Sequence, residues 1–130
     1  MTKRILRKPE FWVVVLLVLL AAAAAAEVIY INRTIDGICE ALSRVTEAAE
    51  AGGNTTAALS DLERTWREKR KILALLIEHD EIDNIDEALV SLSTKVRSRD
   101  TDDIPEHAAR MELYLRHVVT LTDPALQNIF

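Results

Sequence analysis

Apolar and polar residues follow one another with the spacing of an α-helix along almost the whole chain. Residues 11–31 form an apolar segment that carries a single charge, Glu27. After this segment, apolar residues recur three and four positions apart, which places them on one face of a helix. No stretch of the sequence alternates polar and apolar residues for long enough to make a strand. The pattern therefore predicts an all-α protein.

The first predicted helix runs from the apolar segment to about Ala51, where Gly52-Gly53 is a strong C-terminal signal. Its apolar positions continue past residue 31 without a break in register. Residues 54–56, Asn-Thr-Thr, are expected to cap a second helix. Lys69 fills a gap in the apolar stripe of this helix, which consists of Leu59, Leu62, Trp66, Leu73, Leu76 and Ile77.

A third and a fourth helix complete the predicted bundle. Asp80 is the expected N-cap of the third helix, and the apolar stripes of the second and third helices mirror one another about residue 81. Such mirroring predicts an antiparallel helical hairpin. Asp102 or Asp103 is expected to cap the fourth helix, with Pro105 in its first turn. The two stripes consist of Ile82, Ile85, Leu89, Leu92 and Val96, and of Ile104, Ala108, Met111, Leu115 and Val118.

The end of the chain is expected to add one further turn. Asp123-Pro124 is a turn-forming pair, and the apolar Ile129-Phe130 is expected to dock on the bundle. The predicted fold is therefore one N-terminal transmembrane helix followed by a small antiparallel helical bundle.

The apolar segment has features of both a membrane anchor and a cleaved signal peptide. As a helix, its 21 residues would span ~30 Å, the thickness of a bilayer core. Trp12 and Tyr30 lie near its two ends, where amphipathic rings are common. A basic N-terminus and the small residues before a cut after Ala26 also fit a signal peptide. We favour the retained anchor, because the helical register continues into the residues that follow.

Both interpretations give the same orientation. Residues 1–10 carry a net charge of +3, which favours the cytoplasmic side of the membrane. Residues 11–31 are then a single-pass signal-anchor, and residues 32–130 form an extracytoplasmic bundle. Cleavage after Ala26 would instead give a secreted protein.

Charge and cysteine content exclude some classes of function. Residues 32–130 hold 12 basic and 19 acidic side chains, a net charge of −7. An acidic domain repels phosphate, so we expect no nucleic-acid partner. Cys39 is the single cysteine, so no intramolecular disulfide forms, and we expect it to be a small buried residue.

Residues 78–87, EHDEIDNIDE, form the most suggestive stretch for a site. His79 and Asp83 are four apart and share a helix face, and a hard divalent cation uses carboxylates of this kind. The stretch lacks the glycine and the alternating ligands of an EF-hand. We favour a structural interpretation, in which the acids favour the positive end of a helix. We expect no catalytic residues, because no nucleophile–base pair is suggested. We expect no metal or cofactor, because the three histidines lie on different predicted helices or helix ends.

Several short motifs resemble an uncharacterised bacterial family of membrane-anchored proteins, catalogued as domain of unknown function 4363. The motifs are Trp66 with Lys69 three residues on, IEHDEID at 77–83, NIF at 128–130 and the N-terminal anchor. The alanine tract at 21–26 is not part of this pattern. The resemblance implies a small helical protein of spore-forming Firmicutes, with no assigned activity. It also implies a candidate partner, since members are often encoded beside YetF-like membrane proteins. The motif positions that become candidates for an interaction or structural network are Trp66, Lys69, His79, Asp80, Glu81 and Asp83.

These observations predict a non-enzymatic accessory protein, anchored in the lipid bilayer and acting with another membrane protein. A first alternative is a sensor that binds a cation or small ligand at residues 78–87. A second alternative is an envelope hydrolase that uses the same acids as paired carboxylates, which would need a cleft holding them ~5–9 Å apart.

Overall fold

The structure, a computed structural model, describes residues 7–123. The predicted turn at Asp123-Pro124 and the docking of Ile129-Phe130 involve residues 124–130, which lie outside the described residues. So do the first six residues of the basic N-terminus.

The described residues form four helices, and none of them lies in a strand. The helices are α1 (Pro9–Ala51), α2 (Thr55–Leu76), α3 (His79–Arg97) and α4 (Ile104–Thr122). The predicted all-α fold, with one long apolar N-terminal helix, is confirmed.

The chain divides into two compact units, Met1–Tyr30 and Ile31–Phe130. In the first unit, the apolar side chains of α1 are largely exposed: Val13 is 55% exposed and Val18 is 62% exposed. By length and composition, α1 is the one helix among the described residues that is apolar enough to cross a membrane. A signal sequence near the N-terminus has the same features.

In the second unit, contacts between side chains show that α3 and α4 run antiparallel. Near one end of the pair, Lys95 Nζ lies 3.0 Å from Asp103 Oδ2. Near the other end, His117 Nε2 lies 3.8 Å from Glu81 Oε1. Residues late in α3 therefore contact residues early in α4, and residues early in α3 contact residues late in α4.

The other neighbouring helices are also antiparallel. Between α2 and α3, Glu63 pairs with Arg97 at 3.2 Å and Arg70 pairs with Asp86 at 2.7 Å. Between α4 and α1, Arg116 Nη1 donates to Asp36 Oδ1 at 2.9 Å, and Pro105 shares a groove with Glu47. The second unit is thus an up-and-down bundle.

One hydrophobic core contains the predicted apolar stripes of all four helices. Leucine, isoleucine and valine side chains at these positions are shielded from water, which supplies the main favourable contribution to folding. The buried positions of the stripes are Ile31, Ile35, Ile38, Leu42 and Val45 in α1, Leu59, Leu62, Trp66 and Leu73 in α2, Ile82, Ile85, Leu89, Leu92 and Val96 in α3, and Ile104, Ala108, Met111, Leu115 and Val118 in α4. Cys39 is buried, as predicted.

The end of α1 and the start of α2 follow the predicted signals. Gly52 adopts a φ of 67°, and the amide of Gly53 donates to the carbonyl of Ala48 at 2.8 Å. This is a Schellman motif, which satisfies a carbonyl at the helix end. At the start of α2, Asn54 Oδ1 accepts a hydrogen bond from the amide of Ala57 at 3.0 Å. The predicted cap is confirmed, and it satisfies one of the free amides of the first turn.

The predicted N-cap of the third helix, Asp80, is wrong by two residues. Ile77 and Glu78 are extended, with ψ values of 150° and 144°, so α3 begins at His79 and Glu78 is the N-cap. Asp80 therefore lies inside the first turn, where its charge favours the positive end of the helix.

The residue about which the second and third helices mirror one another also differs from the prediction, for the same reason. The Arg70–Asp86 and Glu63–Ser93 contacts are both symmetric about residue 78, not residue 81. The shift arises because the chain turns at Ile77-Glu78, at the start of the acidic stretch and not in its middle.

The fourth helix has the predicted N-cap position, Asp103, and Pro105 lies in its first turn. The Asp103 side chain makes no capping hydrogen bond, because its carboxylate accepts from Lys95 Nζ at 3.0 Å. This ion pair lowers the pKa of Asp103, through hydrogen bonding and charge attraction.

Replacing Arg99 with glycine is expected to raise the free energy of unfolding by about 1 kcal/mol. Arg99 follows the end of α3 with a φ of 58°, which is a left-handed conformation. In this conformation the Cβ of an L-residue is crowded by its own backbone, whereas glycine has no Cβ. Urea denaturation of the full chain in mild detergent, followed by circular dichroism, measures the change.

Gly52→Ala is the matched control, because Gly52 occupies the same position after α1 and an added Cβ would meet no neighbouring atom within 4 Å. Gly52→Ala is expected to lower the free energy of unfolding by about 1 kcal/mol. If Arg99→Gly also destabilised the chain, a left-handed Arg99 would be ruled out.

Candidate functional site

The most connected polar side chains lie between α2 and α3 and are centred on Asp86. Trp66 is 3% exposed, and its indole Nε1 donates to Asp86 Oδ1 at 2.7 Å. Arg70 donates to Asp86 Oδ2 through Nε at 2.9 Å and through Nη2 at 2.7 Å. Such a two-pronged guanidinium contact fixes the geometry of the carboxylate more strongly than a single hydrogen bond would.

The electrostatics of Asp86 follow from these contacts. Partial burial acts to raise the pKa of Asp86, but hydrogen bonds from Arg70 and Trp66 outweigh it and hold the pKa below its usual value. The same hydrogen bond and charge attraction raise the pKa of Arg70. Asp86 is therefore ionised near neutral pH and serves as an acceptor shared by two donors.

A second polar cluster lies on the same helix pair. Glu63 Oε1 accepts from Ser93 Oγ at 3.1 Å and from Arg97 Nη2 at 3.2 Å. A groove of about 340 Å³ lies between the two clusters and is also lined by Arg67, Leu89, Val90 and Thr94. Two of the three arginines at this groove, Arg70 and Arg97, are each paired with a carboxylate.

Glu81 lies apart from these clusters and points between α3 and α4. Its side chain is 15% exposed, and Oε1 lies 3.8 Å from His117 Nε2. Its other oxygen, Oε2, is buried and has no hydrogen-bond partner among the described residues. Glu81 is thus separated from the exposed acids on either side of it in the sequence.

The six candidate residues of the sequence do not form one site. Trp66 belongs to the Asp86 cluster, and Glu81 faces His117. Lys69 is half-buried and forms no ion pair within the described part of the chain. The side chains of the other three candidates, His79, Asp80 and Asp83, are exposed. Across residues 7–123, no three His, Cys, Asp or Glu side chains are grouped so that they would hold a metal ion.

The six candidate residues did not include Asp86, Arg70 or His117, although Asp86 lies within the stretch 78–87 that the sequence indicated. A signal for Asp86 was present: it is four residues after Ile82 and three before Leu89, beside the apolar stripe of α3. A buried tryptophan needs an acceptor for its N–H, and a carboxylate flanking the opposite stripe is suited to supply one. No comparable signal distinguishes Arg70 from the other basic residues of α2 at positions 64, 67, 69 and 71.

Cys39 and Asp86 are each held in one protonation state near neutral pH. Burial raises the pKa of the Cys39 thiol, so the thiol stays protonated near neutral pH. Asp86 is held by two donors, and the arrangement joins two helices. These side chains therefore have the features of a structural connection.

One comparison with known proteins gives a match. A family model described as "Domain of unknown function (DUF4363)" matches residues 26–129, most of the chain. The match begins at the end of the alanine tract and includes the whole bundle. No curated protein and no solved structure matches the chain.

Proposed function

Since the chain belongs to the DUF4363 family, as its motifs suggested, we propose that it is a membrane-anchored accessory protein. Its outward-facing helical bundle acts with another membrane protein, and it performs no catalysis itself. The apolar part of α1 anchors the chain, and residues 32–130 form the bundle outside the cytoplasm.

The exposure of the apolar side chains in α1 is the observation that carries this proposal. Val13, Leu17 and Leu20 are 55%, 60% and 57% exposed, although they are among the most apolar residues of the chain. Side chains of this kind are unstable in water and stable in lipid. None of the residues in the candidate span is buried inside the protein. Lipid is the environment that fits all of them.

The bundle supports an interaction role in place of a catalytic one. Its acids are used for helix ends and for pairing, as at Asp103 and Asp86. The partner that the family resemblance suggests is a YetF-like membrane protein.

The test of anchoring uses the full chain with a C-terminal tag, expressed in a bacterium and separated into soluble and membrane fractions. We expect the protein to remain in the membrane pellet after an alkaline wash, with an intact mass that starts at or near Met1. Leu16→Arg with Leu20→Arg should release it, because each arginine costs ~2.5–3.5 kcal/mol near the centre of a membrane helix. Leu113→Arg, an exposed position of the bundle, is the matched control and should be retained.

A soluble wild-type protein, or a mass that starts at Glu27, would rule out the retained anchor.

For the partner, the tagged chain is co-expressed with a YetF-like membrane protein from the same genome and purified in mild detergent. Co-elution of the two proteins as one species is the expected result. Recovery of the tagged chain alone in several mild detergents would contradict the accessory role.

A further inference from the structure

The groove between α2 and α3 carries positive charge in an otherwise acidic bundle. Three arginines, Arg67, Arg70 and Arg97, line it together with one carboxylate, Glu63. Asp86 adds a second carboxylate through its pairing with Arg70. Three positive side chains against two negative ones give the groove a net charge of +1, whereas the bundle as a whole carries −7. Negative groups are therefore attracted to this part of the surface.

Arg67 is the cation of the groove that has no carboxylate partner. It is exposed and forms no ion pair within residues 7–123. Lys71 lies four residues later on the same face of α2 and is likewise exposed and unpaired in the described part of the chain. Arg97 contacts Glu63 through Nη2, and its side chain is 69% exposed. These side chains place available N–H donors along the groove.

The floor of the groove is apolar. Trp66 and Leu89 are buried beneath it, and Val90 is 65% exposed. The groove runs between the two ion pairs that join α2 to α3, and the α2 members of these pairs are seven residues apart, ~10 Å along the helix. An apolar floor of this length with charged sides matches two turns of an amphipathic helix.

We infer that this groove binds an acidic amphipathic helix of the partner membrane protein. The inference rests on the proposed accessory role, and it names the surface used and the chemical class of the partner. An apolar side chain of the bound helix covers Val90, and a carboxylate beside it pairs with Arg67. A second carboxylate, one turn further along, pairs with Lys71. Covering Val90 removes apolar surface from water, and the two ion pairs orient the helix.

The distribution of charge favours a helix over an anionic lipid surface. Asp83 lies seven residues before Val90 on the same face of α3 and is exposed, as is Glu87. A flat anionic surface would meet these carboxylates together with Arg67, and their repulsion would offset its attraction to the arginine. A single helix, ~10 Å wide, can instead lie against the basic side of the groove.

The test uses the full chain in mild detergent and a synthetic helical peptide as the probe. The peptide has about 15 residues, with a row of leucines and, beside it, glutamates one turn apart. A staple on the opposite face keeps it helical, and fluorescence anisotropy of an attached label reports binding. A second peptide has lysine in place of each glutamate. Arg67→Glu is compared with Arg110→Glu, the matched control, which makes the same charge change at an exposed position of α4 outside the groove.

We expect the glutamate peptide to bind the wild type and Arg110→Glu alike, and to bind Arg67→Glu at least about threefold more weakly, because an attraction becomes a repulsion. The lysine peptide should bind Arg67→Glu more tightly than the wild type. Added salt should reduce both differences, since it screens exposed charges. Equal affinities of the two peptides for the wild type, or no binding of the glutamate peptide, would overturn the inference.

A second pair of variants tests the apolar floor without changing the charge. Val90→Asn should weaken binding of the glutamate peptide at least about threefold, because it removes an apolar contact. Leu75→Asn is the matched control and should leave the affinity unchanged. Leu75 is 84% exposed, but it lies two residues after the buried Leu73, on the outer side of α2 and outside the groove. Equal affinities of these two variants would overturn the contact with the floor.

Other occupants of the groove give different results. Displacement of the glutamate peptide by short-chain phosphatidylglycerol would assign the groove to lipid. A wild-type dimer that Arg67→Glu converts to a monomer, measured by analytical ultracentrifugation, would assign it to a second copy of the chain. Either result would overturn the inference.

Co-purification with the partner membrane protein separates this inference from the accessory role. Arg67→Glu should reduce co-elution of the partner, and Arg110→Glu should not. Equal co-elution with both variants would overturn the groove as the docking surface and leave the accessory role intact. Peptide binding as expected, without co-elution of the partner and the wild type, would overturn the accessory role and leave the groove as a site for an acidic helix.

Discussion

Replacing Leu115 with alanine is expected to lower the free energy of unfolding by about 2–5 kcal/mol. Leu115 is 0% exposed and lies in the buried stripe of α4, among core residues from the other helices. The substitution removes buried methyl groups and leaves a cavity that the surrounding helices only partly fill. Urea denaturation of the full chain in mild detergent, followed by circular dichroism, measures the loss.

Leu113→Ala is the matched control for this prediction. Leu113 lies in the same helix, two residues away, but its side chain is 67% exposed. The chemical change is identical, so a difference between the two variants reports burial and not helix propensity. We expect Leu113→Ala to change the stability by no more than about 0.5 kcal/mol. Equal losses for the two variants would contradict the arrangement of α4 in the bundle.

Replacing Asp86 with alanine has the second largest expected effect. It is expected to lower the free energy of unfolding by about 2 kcal/mol. The substitution leaves the indole N–H of Trp66 buried without an acceptor, and a buried unsatisfied donor loses its interaction with water as well. Arg70 contributes less to the loss, because its side chain is 43% exposed and returns to solvent. The same denaturation experiment measures the change.

Asp61→Ala provides the comparison for Asp86→Ala. Asp61 also pairs with an arginine, Arg64, at 3.0 Å, but the side chains are 51% and 64% exposed. We expect Asp61→Ala to change the free energy of unfolding by less than about 0.5 kcal/mol, as for most surface ion pairs. In a double-mutant cycle, Trp66→Phe should reduce the effect of Asp86→Ala, because no buried N–H is then left without an acceptor. Additive effects of Trp66→Phe and Asp86→Ala would argue against the hydrogen bond.

The Asp86 carboxylate also gives a prediction for the pH dependence of stability. Its pKa is lowered in the folded chain, so its contribution is present above the pKa of the unfolded chain, about 3.9. The contribution is lost as the pH falls through the lower pKa of the folded chain. The wild type should therefore lose more stability than Asp86→Asn as the pH is lowered below about 4. Parallel pH profiles of the two proteins would contradict an ionised, paired Asp86.

The sequence predicted the helices and their buried faces well, because helical periodicity is a local property. Apolar residues such as Ile82, Ile85 and Leu89 repeat every three or four positions, and the folded chain buries them. Gly52 and Asn54 have local effects on the backbone, so the ends of α1 and α2 were predicted correctly. The start of α3 was wrong by two residues, since both Glu78 and Asp80 precede an apolar run and the backbone of Ile77-Glu78 decides between them.

The candidate site was predicted less well, because it depends on which side chains meet across helices. The motif suggests that its six residues form one network. In the structure, Trp66 and Glu81 turn inward to different partners, while His79, Asp80 and Asp83 face solvent. The partners Asp86 and His117 lie 20 and 36 positions away in the sequence from Trp66 and Glu81. The spacing of residues in the sequence does not indicate which side chains pair across helices.

By itself, the sequence determined that this protein is helical, where its helices run and which faces they bury, and that it begins with an apolar helix long enough to cross a bilayer. These properties follow from the order of residues within each helix. Only the tertiary structure decided the register between helices, the sharing of Asp86 by Trp66 and Arg70, and the exposure of Leu75. Those properties depend on how residues far apart in the chain are brought together, and packing of the core sets that arrangement.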